Sequence, residues 1–242
     1  MNKDIFLELG YKIEDEHSLE MLIVDLVESQ EYINLDKLLK AYVKNNQTTE
    51  SLNSLSICIR NAIKSLFFNT DVEDIEYREN NIDNRDIFLS EPFSMAHSLS
   101  RNQVILSSSY KNIIVSESDD STITSVGEGC FVFVLESDCT VTVNGDNCFV
   151  YIAGDNNLVN IVGNNSKAIF SGIDNTLIIK GNSKFKGLSS SDVIFINDDE
   201  SQYEVGKVHN PKFVKDLKFN TWYRFGYEKG SFVEVPPGQI TY

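Results

Sequence analysis

The sequence predicts an α+β chain. A small helical bundle at residues 1–68 leads into a β-solenoid of nine-residue repeats, and a C-terminal β cap follows. Three observations carry this. Glycine recurs with a fixed step at Gly127, Gly145, Gly154, Gly163, Gly172 and Gly181, every gap being nine residues or twice nine. The text between glycines repeats as well: Gly145, Asp146, Asn147 and a strand-like run are followed by Gly154, Asp155, Asn156 and another, then by Gly163, Asn164, Asn165 and a third. Self-similarity at a short fixed period marks a stacked repeat architecture. Upstream of residue 69 the apolar residues instead fall at helical spacing.

Taken in order, Ser18 is placed to cap a helix through Glu28 that carries Leu19, Leu22, Ile23 and Leu26 on one stripe. Asn34 is placed to cap a second, with Leu35, Leu38, Leu39, Tyr42 and Val43 facing inward. A third begins near Ser51 and carries Leu52, Leu55, Ile59, Ile63 and Leu66. The outer faces are acidic (Glu14, Asp15, Glu16, Glu20, Asp25, Glu28, Glu31) and read as solvated. Residues 69–108 read as an acidic linker with lead-in strands at Asp86–Leu89 and Gln103–Leu106, His97 standing alone between them.

Residues 109–199 are the solenoid. In each unit the first three positions are turn-formers, with glycine and asparagine supplying left-handed conformations. The next six alternate, so the fourth, sixth and eighth positions point inward. These are Cys130, Val132, Val134; Cys139, Val141, Val143; Cys148, Val150, Ile152; then Asn157, Val159, Ile161 and Asn175, Leu177, Ile179. One unit is a turn plus a short strand that buries its apolar side only by stacking. Two units make a two-sided coil of about eighteen residues with two facing parallel sheets; a three-sided coil of twenty-seven is the alternative. Residues 200–242 turn slightly basic and cluster Trp222, Tyr223, Phe225 and Tyr227, which reads as a hairpin or small sheet covering the open end.

Composition excludes several functions. Acids number 36 against 21 bases, a net charge of −15, so charge will not draw the chain to nucleic acid or an anionic membrane. A basic protein is the partner that charge selects. The first residues show no basic region before an apolar run, and no apolar run approaches membrane-spanning length, so a cytoplasmic protein is expected. Calcium-binding nonapeptide rolls place aspartate on the strand, where this chain has Val150 and Val159. Hexapeptide helices have the wrong period, and the threonine ladder of an ice-binding face stops after Thr122, Thr124, Thr140 and Thr142. Cys130, Cys139 and Cys148 recur at one inner position with no histidine near, and read as packing rather than as a metal or redox cluster. His17, His97 and His209 fall in three separate regions, and no phosphate loop, zinc spacing or catalytic triad motif is present. No enzyme, metal or cofactor is expected.

The nonapeptide at Gly163, Asn164, Asn165, Ser166 occurs with a tail of Asn220, Thr221, Trp222, Tyr223 and then Gly230, Ser231, Phe232, Val233, Glu234, Val235. This combination resembles an uncharacterised family of bacteriophage and prophage proteins. Their alanine-rich nonapeptides end in a Trp-Tyr…Gly-x-Phe-Val-Glu-Val segment. The resemblance spans roughly residues 127–235; here Val, Ile and Cys replace the alanines, and the helical N-terminus has no counterpart. It implies a viral or mobile-element origin and carries no catalytic residues.

Two surfaces follow from an eighteen-residue coil. One edge carries Asp119, Asp120, Glu136, Asp138, Asp155, Asp174 and Asp192. It reads either as ordinary turn chemistry or as an anionic ridge imitating a nucleic-acid backbone. One sheet face carries Phe131, Phe133, Phe149 and Tyr151 outward. A patch of this kind is covered by the helices or by a second copy of the chain in a homodimer, or it serves as a partner site. The expected function is stoichiometric inhibition of a host defence system by a phage product, of the anti-CRISPR type. It would bind a basic host protein that handles nucleic acid and block access to that nucleic acid. The alternative is a structural or assembly module of a phage particle.

Overall fold

The computed structural model describes residues 10–11, 15–68, 77–80, 86–99, 101, 103–196, 203–208 and 217–240. Among them are three helices, then a parallel β-solenoid of about six turns. The helices are α1 (Glu16–Glu28), α2 (Tyr32–Asn45) and α3 (Thr49–Phe68). Their apolar stripes are those the spacing predicts: Leu19, Ile23 and Leu26, then Leu35, Leu38, Leu39, Tyr42 and Val43, then Leu52, Leu55, Ile59 and Ile63, are all buried. The side chain of Leu66, like Glu14, lies outside the described residues. Leu22 is half-buried.

The helix starts differ from expectation. Asp15, not Ser18, is the first N-cap: its carboxylate accepts the Ser18 N–H at 2.8 Å, while Ser18 Oγ accepts the Asp15 N–H at 3.0 Å. A capping box holds two cap-type residues three positions apart, and the upstream one is the cap. Helix α2 starts at Tyr32, with Asn34 inside its first turn donating to Glu31 Oε2 at 2.7 Å. Thr48 and Ser51 exchange the same reciprocal bonds ahead of α3, at 3.1 and 3.2 Å.

The strands alternate between two sheets. The first sheet orders β1 (Tyr77–Asn80), β3 (Met95–Ser98), β5 (Ile113–Ser116), β7 (Phe131–Val134), β9 (Phe149–Ile152), β11 (Lys167–Phe170), β13 (Lys184–Gly187), β16 (Trp222–Gly226) and β17 (Ser231–Glu234). The second orders β2 (Ile87–Leu89), β4 (Val104–Ser107), β6 (Thr122–Ser125), β8 (Thr140–Val143), β10 (Leu158–Ile161), β12 (Asn175–Ile179), β14 (Ser191–Ile196) and β15 (Tyr203–Val208). Parallel neighbours up to β12 pair eighteen residues apart, Phe131 with Phe149 and Val141 with Val159, so the coil has two sides. The same offset already joins Tyr77 to Met95. Thus β1 to β4, in the stretch read as a linker with lead-in strands, belong to the stack; residues 69–76 and 81–85 lie outside the described residues. At the far end β16 and β17 run antiparallel on β13, and β15 antiparallel on β14.

Between the sheets sits one apolar core, in which Val132, Val134, Val141, Val143, Val150, Ile152, Val159 and Leu177 are buried. Of the six repeat glycines, Gly181 alone is in the left-handed region as expected, at φ 66°; the other five have a different cause. Gly145 is not in the left-handed region; a Cβ there would sit 1.8 Å from the Gly127 carbonyl oxygen of the preceding coil. Close approach of stacked backbones selects glycine, and the left-handed residues are the third of each unit: Asn147, Asn156, Asn165 and Asp174, with φ of 55 to 58°. Inner position four is a polar ladder rather than an apolar one. The Cys139 N–H donates to Asn157 Oδ1, and the Asn157 N–H to Asn175 Oδ1, each at 2.8 Å. Backbone donors that leave the sheet at the coil corner are satisfied this way.

The helices lie on the outer face of the first sheet. Met95, Ile113, Val115, Phe131, Phe133, Phe149, Tyr151 and Ile169 form one buried cluster with the three helical stripes. Among the described residues the outer face of the second sheet has no such cover: Val104, Thr122, Thr140 and Leu158 are exposed and aligned strand on strand.

Candidate functional site

The acidic edge is built by the turns that lead from the first sheet to the second. Glu117–Ser121, Leu135–Cys139, Ala153–Asn157 and Ser171–Asp174 stack at eighteen-residue intervals. Stacking sorts the predicted residues into columns. Asp120, Asp138, Asn156 and Asp174 form the outermost, each with a positive φ of 56 to 61° and exposed. Their backbone N–H groups donate to carbonyls one coil on, at 3.0 to 3.2 Å, which leaves the side chains projecting outward. Neighbouring coils lie about 4.8 Å apart, so the column repeats charge at that step with one gap at Asn156.

Asp119 and Asp155 form a second, half-buried column with another task. Asp119 Oδ1 accepts the Ser137 N–H at 3.2 Å, and Asp155 Oδ1 accepts the Ile173 N–H at 2.7 Å. These two carboxylates cap the turn of the following coil, as turn chemistry predicts. Arg101, one coil before, also meets Asp119 at 3.4 Å and Asp120 at 3.6 Å, lowering the charge at that end. Glu136 is exposed between the columns. Burial first, and then Asp119 and Glu117, push its carboxyl above the ordinary range, as crowded like charges do.

Asp192 leaves the ridge. It lies on β14, in register with Thr176 and Lys207, on the outer face of the second sheet. The offset falls from eighteen residues to seventeen between Lys167 and Lys184 and to sixteen between Thr176 and Asp192, so Asp192 sits two positions past Asp174, and the sequence period alone does not show which residue falls in the strand.

The four aromatics are buried. Phe131, Phe133, Phe149 and Tyr151 are at most 4 % exposed beneath the helices, and Tyr151 Oη donates to Asn53 Oδ1 of α3 at 2.8 Å. The helices of the same chain are their cover, and no second copy is needed for it.

Sequence reading missed the polar ties between helices and coil. His97, read as solitary, is fully buried with Nε2 2.9 Å from Glu117 Oε2, while Arg60 of α3 binds Glu117 Oε1 at 2.8 Å. The His97 bond, then the Arg60 charge and bond, outweigh burial and hold the Glu117 carboxyl below the usual carboxylate range. Lys40 and Lys111 share Asp36 Oδ2 at 2.9 and 3.2 Å, and Lys186 and Trp222 share Gln47 Oε1 at 3.2 and 3.0 Å. Apart from Asp36 and Lys40, four residues apart on α2, these partners lie 20 to 175 residues apart, so no local spacing signals them.

Cys130 and Cys148 stack in one corner and Cys139 in the opposite one. Cys139 Sγ donates to the Ser118 carbonyl at 3.1 Å, and burial pushes its thiol up to about 11. Among the described residues no group of three or more His, Cys, Asp or Glu is placed to hold a metal ion. No helix among them is long and apolar enough to cross a membrane. No family model matches the chain, and neither does any curated protein or solved structure.

Proposed function

We propose that the chain is a phage-encoded, stoichiometric inhibitor of a host defence system, of the anti-CRISPR type, acting in the host cytosol. It binds a basic protein that handles nucleic acid and blocks nucleic-acid access. The observation that carries this reading is the exposed column of Asp120, Asp138 and Asp174 with Glu136 beside it, on a chain of net charge −15. Single exposed carboxylates contribute little. A row acts together on association rate and partner choice, and its step of about 4.8 Å, doubled across Asn156, is of the order of a phosphate spacing. Each nine-residue unit is one turn plus one strand, and the antiparallel β15, β16 and β17 cap the last coil.

The test neutralises charge without touching the turns. Asn156 already occupies the outer column, so D120N, D138N and D174N combined with E136Q suit the backbone. Asp119 and Asp155 are left alone because they bond backbone. The parent is expected to capture a basic nucleic-acid-binding protein from bacterial lysate, to lose it when salt rises from about 0.05 to 0.5 M, and to compete with DNA or RNA for it. The quadruple variant is expected to melt like the parent and to capture nothing. Equal capture by both at low salt would remove the ridge from the mechanism. The bare second sheet, with Val104 and Leu158 exposed, supports the other reading, a particle-assembly module; contacts made there persist at high salt.

A further inference from the structure

The first sheet also gathers cations, against the charge of the chain. Lys167, Lys184 and Arg224 stand directly opposite one another on β11, β13 and β16. Like charges in cross-strand register destabilise a sheet. Two residues along β13, Lys186 is 7 % exposed. Its Nζ donates to Gln47 Oε1 at 3.2 Å, a neutral acceptor that Trp222 Nε1 already shares. Among the described residues no carboxylate pairs with Lys186. Buried ammonium groups are normally paired. Burial lowers the Lys186 pKa.

Lys186 lines a cavity of about 480 Å³ between the end of α2 and the C-terminal strands. Lys44 also lines it, and Trp222, Val235, Pro236 and Ile240 supply its apolar lining. Glu234 also lines it but is engaged by Lys218 at 2.8 Å. The volume falls within the range of small-molecule sites and holds one nucleotide-sized ligand. Lysine is a point-charge partner for phosphate, and the apolar lining suits a planar ring. A nucleic-acid strand is disfavoured by the net charge of −15.

We propose that this cavity binds a small phosphorylated molecule of the nucleotide class, with phosphate on Lys186 and Lys44 and a planar group against Trp222, Pro236 and Ile240. The ligand supplies the charge that Lys186 lacks. Trp222 is the only tryptophan of the chain, so its fluorescence reports this cavity alone.

The experiment titrates the full chain with ADP, pyrophosphate and adenosine while following that fluorescence. A saturable response to ADP below about 1 mM is expected, with pyrophosphate and adenosine each at least about tenfold weaker. Lys186→Gln is expected to weaken ADP by at least about tenfold while melting no lower than the parent, because it removes an uncompensated buried charge. Lys44→Gln, at the cavity wall on a helix surface, weakens ADP without bearing on the core and stands in if the Lys186 variant misfolds. No saturable response to any of the three ligands overturns the site. Pyrophosphate binding as tightly as ADP overturns the nucleotide assignment. Unchanged ADP affinity in a folded Lys186 variant overturns the role of that lysine.

Discussion

At the scale of single residues, the repeat divides its labour between neighbours. Glycine at the first position lets one coil's backbone lie against the next, and Asn or Asp at the third accepts the left-handed turn. The consequence is an asymmetry between two conservative substitutions. Gly145→Ala puts a methyl carbon 1.8 Å from a backbone oxygen that cannot retreat without shifting a coil, and is expected to cost about 3 kcal/mol or more. Asn147→Gly keeps the turn and is expected to cost less than about 1 kcal/mol. Thermal or urea unfolding of the two variants checks this; equal losses would mean that the coils are not in backbone contact at Gly145. The glycine period was legible in the sequence, but its cause was not, since turn-forming and close approach both select glycine. The cysteines show the same limit. Alternation places position four inward, yet Asn157, Asn175, Ser166 and Ser183 share that position because backbone donors need partners there. Only stacking the coils reveals that need.

At the scale of elements, the helices were legible because each stripe is continuous, and their starts slipped by up to three residues because capping pairs are read from the wrong end. Strands β1 and β3 were missed because they precede the glycine frame, and because β3 carries His97 and Ser98 where a buried strand usually carries apolar residues. What makes His97 tolerable is Glu117, which in turn holds Arg60 of α3. This tie has a pH signature. Glu117 has a folded pKa below its unfolded value, so its contribution is fully present above the unfolded value and is lost as pH falls through the folded one. Glu117→Gln is therefore expected to lower stability at pH 7 by about 1–2 kcal/mol, with the gap to the parent closing in acid below the usual carboxylate range. Denaturant unfolding of both proteins at neutral pH and at about pH 3 measures the gap. A gap of the same size at both values would show that Glu117 acts by shape and not by charge.

At the scale of the whole molecule, the two faces of the solenoid have different fates. Among the described residues nothing covers the threonine and aliphatic ladders of the second sheet, while the first carries Phe131, Phe133, Phe149 and Tyr151 under three helices. The helices are thus a built-in cover, held by polar ties at Asn53, Arg60, Asp36 and Gln47 as well as by the apolar cluster. Removing residues 1–68 would open a contiguous face that also includes Met95, Ile113, Val115 and Ile169. Apolar surface of that extent is not stable on a free monomer. The truncated chain is expected to keep its β-sheet circular dichroism, because the inner core between the sheets is independent of the helices, and to associate or precipitate at micromolar concentration. Adding the separate 1–68 segment is expected to restore a soluble one-to-one complex. Light scattering with and without the segment decides it. A truncated chain that stays monomeric and folded would mean that the aromatic face does not need its cover, and that the helices serve some purpose other than closing it.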